Sequence, residues 1–193
     1  MTSAPVEAIK TTIWFTSHCR IFAEKRYRKY NNISHLSLSW LSLAAITCAV
    51  TRCQLQTSTF VDTYTAVLST FVFAFSIIVF GFRFGETAVL FRECYLRLQK
   101  LHDSNLDPEA MTSAYHEILG AYGNHDDWDY ESLVIRKTYL EKEELHHKDG
   151  SKVIWTRPML AKHFLLSGAF WAVVVVLFLL GSVPYVLLFS NLK

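Results

Sequence analysis

The chain has 193 residues, 51% of them apolar and only 19% charged, with 19 Lys plus Arg against 17 Asp plus Glu. Such a length holds one domain or little more, and a formal charge of +2 excludes the strong basic excess of a nucleic-acid binder. Three runs free of Asp, Glu, Lys and Arg, at 32–51, 63–82 and 164–190, are each long enough to cross roughly 30 Å of hydrocarbon as a helix, which excludes an ordinary soluble enzyme, a disulfide scaffold and a disordered chain.

In chain order, residues 1–31 predict a basic, amphipathic helix that feeds into the first span. Its stretch Glu24-Lys25-Arg26-Tyr27-Arg28-Lys29-Tyr30 suits a membrane surface. Lys25, Arg26, Arg28 and Lys29 would each gain about 1 kcal/mol beside anionic headgroups, and the two tyrosines suit the interface belt. A docking site for a partner or an anionic ligand is the alternative. The span at 32–51 begins too late, and is too long, for a signal peptide. A short connection near 52–62 returns the chain into the span at 63–82, so 32–82 predicts a transmembrane hairpin.

The region 83–163 reads as helical. The second helix is expected to continue past Arg83, with Gly81 and Gly85 as a hinge, and Leu90, Cys94, Leu98 and Leu101 mark one face. Asp107 as N-cap and Pro108 at the first helical position start the next helix, with Met111, Tyr115, Ile118 and Tyr122 on its buried side. Asn124-His125-Asp126-Asp127-Trp128-Asp129-Tyr130 reads as a polar turn, and a further helix is expected over 131–146, ended by Gly150. No strand pattern appears. The third apolar run leaves two readings open: a single tilted or kinked span, or a re-entrant end broken at Gly181 and Pro184. The fold class is therefore an all-α membrane protein: a transmembrane hairpin, a helical segment and a third apolar helix.

Cations orient it. Six lie before the first run, one between the first and second, eleven between the second and third, and one after. The positive-inside bias puts residues 1–31 and 83–163 in the cytoplasm and the C-terminus outside.

Chemistry-bearing motifs are few. There is no phosphate loop, metalloprotease helix or nucleophile elbow, and no cofactor is expected. Cys19, Cys48, Cys53 and Cys94 form no Cys-x-x-Cys pair and read as isolated thiols. His125 with Asp126, Asp127 and Asp129 is the best candidate for a divalent metal or catalysis, against the simpler reading of a solvated turn or helix cap. Asp62, Ser69, Ser76 and Arg83 recur every seven residues, so they lie within about 60° of one another on a helix, and Thr65 shares their stripe. Close helix packing explains such a stripe; so does an aqueous path lined by hydroxyls with a carboxylate at its mouth. His35, with Ser39 and Ser42, is a polar group in an apolar run and a functional candidate.

The basic aromatic helix running into Ile33-Ser34-His35-Leu36, the short hairpin, and the later Asn124-His125 and Asp129-Tyr130 pairs together resemble the SLATT family, small two-span effectors of bacterial conflict systems. The branch associated with reverse transcriptases is the most similar. The resemblance implies a multi-pass protein of the bacterial inner membrane that permeabilises it on infection and halts or kills the cell, and it implies interface or motif roles for Asn124, His125, Asp129 and Tyr130. Three spans in place of two depart from the family pattern.

Three helices cannot enclose water unaided, since every lipid-facing polar group must be satisfied, so a pore requires a homo-oligomer in the lipid bilayer. The competing expectations are a membrane anchor docking a reverse transcriptase or nucleotide-signalling partner through 83–163, with no direct nucleic-acid contact, and a membrane enzyme using His125.

Overall fold

The computed structural model describes residues 3–54, 59–147 and 149–191. It is 85% helical, as an all-α chain requires. Helix α1 covers Ser3–Gln54 without a break. Neither glycine nor proline occurs from Val6 to Gln54, so nothing in the backbone interrupts it. Thr11, Thr12, Thr16 and Thr47 return their hydroxyls to carbonyls four residues back. The connection assigned to 52–62 includes residues 55–58, which lie outside the described residues.

Helix α2 (Thr59–Phe82) and helix α3 (Phe84–His102) are separate. The expected continuation past Arg83 is interrupted at Arg83 itself, which adopts a left-handed φ of 47°. The break thus falls between Gly81 and Gly85, on an arginine for which that conformation is costly. Helix α4 (Pro108–Ala121) starts where the sequence predicts, with the Asp107 carboxylate accepting from the Ala110 N–H at 3.3 Å.

The helix expected over 131–146 is placed differently. Helix α5 covers Asp127–Val134 and runs into a six-residue π-helical turn, Ile135–Leu140. Glu141 closes that turn on the Arg136 carbonyl at 2.9 Å, and Lys142, at φ 56°, turns the chain away. The chain then forms a hairpin, β1 (Leu145–His146) antiparallel to β2 (Lys152–Val153), with Leu145 opposite Val153. Gly150, at φ 81°, serves the hairpin turn and does not end a helix. Two-residue strands are too short to leave a period in the sequence. Helix α6 (Arg157–Asn191) is one continuous helix through Gly181 and Pro184, which favours the single-span reading over a re-entrant end.

The chain divides into two compact units, one made of residues 1–28 and 85–166 and the other of 29–84 and 167–193. The first we call the polar unit. Its core joins Ile13 of α1 to Cys94, Leu98 and Leu101 of α3 and to Met111 and Tyr115 of α4. A second cluster there packs Val134, Leu145 and Val153 against Trp14, Phe15 and Trp155. Leu90 is not on the buried face of α3 as expected; it is 53% exposed and Phe91 takes its place. Spacings of 3, 4 and 3 through Phe91, Cys94, Leu98 and Leu101 keep one face closer to the helical repeat.

The second, apolar unit contains the charge-free stretches. Leu41 and Ala44 of α1 and Leu68 of α2 form its core, with Leu177 and Tyr185 of α6 packed on them. Among the described residues three helices are long and apolar enough to cross a membrane, and Phe71, Ile78, Phe80, Val173 and Leu179 stay largely exposed on them.

Candidate functional site: a charged clasp and an apolar three-helix joint

Within the polar unit, α1 presents Ile13, Ser17, Arg20 and Glu24 at spacings of 4, 3 and 4, and all four are buried. A buried stripe with three polar members demands partners. Residues 122–130 supply one for Arg20 and two for the neighbouring Arg26, while Glu24 pairs with Arg28 within α1 and the Ser17 hydroxyl has none among the described residues. Arg20 is 1% exposed and donates from Nη1 to the Gly123 carbonyl at 2.8 Å. Arg26 bridges two carboxylates from one Nη2, at 2.6 Å to Asp126 and 2.9 Å to Asp129. Asp129 Oδ2 also accepts from the Asp126 backbone N–H at 3.2 Å, and the Asp126 carbonyl accepts from the Asp129 N–H at 2.9 Å. The Asp-Asp-Trp-Asp run is therefore the capped start of α5, and at Asp129 it is not solvated.

The electrostatics follow from burial. Asp129 is 1% exposed, and burial pushes its carboxyl up against the pull of Arg26. Burial acts against the Arg26 charge too, but the two carboxylates outweigh it and hold the guanidinium's pKa above its ordinary value. Burial, aided by the neighbouring Arg20 charge, lowers His125. Its Nδ1, like the Ser17 hydroxyl and Arg20 Nε, is buried without a hydrogen-bond partner among the described residues. A cation beside His125 disfavours a metal there, and among the described residues no three His, Cys, Asp or Glu side chains converge on a common point. Cys19 is buried, its thiol pushed up to about 12, which leaves it protonated and unreactive.

The four cations assigned to lipid headgroups have different fates. Arg26 is committed to the clasp, so it is not a free surface cation. Arg28 pairs with Glu24 at 2.5 Å. Lys25 is exposed. Lys29, in the apolar unit, lies 4.2 Å above the Phe170 ring and 5.0 Å above Trp171. Tyr27 stacks on Phe91, and Tyr30 meets Phe84 and Phe170. Tyr130 packs beside Val134, and Asn124 accepts from the His125 N–H at 3.0 Å.

The α2 stripe lies beside the face that α2 buries. Leu68 and Val79 are the buried residues; Asp62, Thr65 and Ser76 are half-buried, while Ser69 and Arg83 are exposed. Thr65 and Ser76 donate back to the Val61 and Phe73 carbonyls at 2.7 Å each, so those two hydroxyls are satisfied without water yet keep lone pairs for it. His35 and Ser39 are exposed on α1, with the Ser39 hydroxyl on the His35 carbonyl at 2.9 Å.

Sequence reasoning missed the joint among the three apolar helices. Pro184 has no N–H, so the Leu180 carbonyl four residues earlier has no helical donor. The Tyr64 phenol of α2 donates to it. Two residues earlier in α6, Trp40 of α1 donates from Nε1 to the Phe178 carbonyl at 3.0 Å, and its indole lies so close to Gly181 that a Cβ there would collide with it. Thr47 of α1 meets the Tyr185 hydroxyl at 3.4 Å. Proline and glycine four and one positions from an orphaned carbonyl were the available signal. The buried Arg20 was signalled by its place at helical spacing from Ile13.

A family model described as SMODS and SLOG-associating 2TM effector domain family 5 matches residues 2–187. No curated protein and no solved structure matches the chain.

Proposed function

The chain belongs to the SMODS and SLOG-associating 2TM effector domain family, family 5, and is a membrane effector domain of conflict systems; from that premise we propose that it acts as an oligomeric pore that depolarises a bacterial inner membrane on activation. The observation that carries this reading is a pair of surfaces on the apolar helices. The apolar helices keep large hydrophobic side chains exposed, while the Asp62–Ser69–Ser76–Arg83 stripe flanks the packed face of α2, with Ser69 and Arg83 exposed and Asp62 and Ser76 half-buried. Lipid suits the first surface. Facing copies of the second would supply a path lined by hydroxyls, with the Asp62 carboxylates at one mouth favouring cations. In this reading residues 1–31 and 83–163 are cytoplasmic, and the polar unit keeps the pore shut until triggered.

Purified protein in liposomes loaded with an ion-sensitive dye tests it. Wild type should conduct, and Asp62→Asn with Ser69→Leu and Ser76→Leu should abolish the flux. Unchanged flux in the triple variant would remove the stripe from the path.

A second reading, a non-conducting anchor for a cytoplasmic partner, is favoured by one feature: the polar unit carries a cleft of about 480 Å³ lined by Trp14, Phe15, Lys10 and His146, a volume typical of binding sites. Recovery of a stoichiometric partner together with silent liposomes would select it.

A further inference from the structure

We propose that Tyr64 is a latch: its phenol replaces the N–H that Pro184 lacks, and release of the Tyr64–Leu180 contact is the step that frees α6 from the hairpin and activates the effector. The proposal rests on the effector reading above.

Inside hydrocarbon an unpaired carbonyl has no water to turn to, so an α-helix carrying proline needs an outside donor. Here that donor comes from a different helix. The Leu180 carbonyl is therefore satisfied only while α2 and α6 keep their register, which makes the contact all-or-none. The neighbouring contacts are of another kind. Phe178, bonded by Trp40 at 3.0 Å, also accepts the Ser182 hydroxyl at 2.8 Å, and its own helical donor, the Ser182 N–H, is not lost to proline. Losing Trp40 would leave Phe178 paired; losing Tyr64 would leave Leu180 bare. Gly181, buried between them, lets the indole approach and weakens the same turn of α6. Two helix-weakening residues and two donors from separate helices thus meet within two turns of α6.

The test is a reciprocal pair, Tyr64→Phe and Tyr64→Phe with Pro184→Ala. Alanine at 184 restores an N–H to the Leu180 carbonyl, so the phenol should no longer be needed. The first readout is independent of conduction: bismaleimide cross-linking in native membranes between cysteines placed at Leu68 and Leu177, in a chain whose native cysteines are alanine. Tyr64→Phe should slow cross-linking roughly tenfold, the scale of one acceptor left unmet in hydrocarbon. The double variant should return to the rate of the parent chain with Tyr64 and Pro184 intact. The second readout is basal membrane potential, which should fall in Tyr64→Phe without any trigger and recover in the double variant.

Unchanged cross-linking in Tyr64→Phe would overturn the latch. So would a loss that Pro184→Ala fails to restore, since that is a general packing defect. Cross-linking lost and restored with the membrane potential constant would uphold the contact and defeat the pore.

Discussion

The polar and apolar units use the same two long helices, α1 and α6, yet satisfy buried polar groups by different means. In the polar unit charges pair with charges, Arg26 between Asp126 and Asp129 and Glu24 with Arg28, beside Arg20 on the Gly123 carbonyl. In the apolar unit the partners are neutral donors on backbone carbonyls: Trp40 on Phe178 and Tyr64 on Leu180. The contrast tracks the solvent. Near water an ion pair loses only part of its hydration, whereas in lipid the penalty for a charge is far larger than for a phenol or indole. In its polar stretch α1 therefore buries Arg20 and Glu24 and half-buries Arg26. Its charge-free stretch carries hydroxyls, the Asn32 amide, the Cys48 thiol, an indole and an exposed imidazole.

Substitutions can break this contrast. The largest effect is expected from Asp129→Ala, which leaves Arg26 half-buried with Asp126, itself 60% exposed, as its one carboxylate partner among the described residues. It should destabilise the polar unit by about 3–5 kcal/mol, read as earlier thermal unfolding of the full chain in nanodiscs. Full stability would mean the clasp is ornamental. In the apolar unit, Gly181→Ala drives a methyl into the Trp40 indole and should cost about 1–3 kcal/mol; an unshifted melting curve would mean the indole has room to retreat. Smaller again, Asp107→Ala removes the carboxylate that caps α4 and should cost about 1 kcal/mol, seen as faster amide exchange in the first turn of α4 alone.

The gentlest perturbation is pH. Burial lowers His125, and likewise His18, from an ordinary value of 6.5. The unfolded chain therefore binds protons at these sites before the folded one does, and stability rises with pH in that window. The polar unit should be fully stable above pH 6.5 and loosen as pH falls toward the folded values. His125→Gln should flatten part of the slope. A slope of opposite sign would mean that His125 is charged when folded.

Much of this is legible in the sequence because it is local. Charge-free runs of twenty or more residues mark the apolar helices, and Asp107-Pro108 marks a helix start whose cap is three residues away. The rest depends on contacts across long separations. Arg26 meets Asp129 across 103 residues, so a basic run that reads as a lipid-facing surface holds a buried ion pair, and an Asp-rich turn that reads as solvated holds its partner. Composition over-extends the helix at 131–146, because Lys, Glu and Leu favour helices, while the turn at Lys142 depends on tertiary packing of Leu145 and Val153. Pro184 is visible as a helix weakness, but not Tyr64, which lies 120 residues earlier.

Membrane potential decides between a pore and an anchor, followed by voltage-sensitive dye in bacteria expressing the chain with and without phage infection, alongside viable counts. A pore predicts rapid depolarisation that precedes loss of viability and is blunted by Ser69→Leu with Ser76→Leu. Cells that die with a fully polarised membrane, while the protein is inserted, would contradict it.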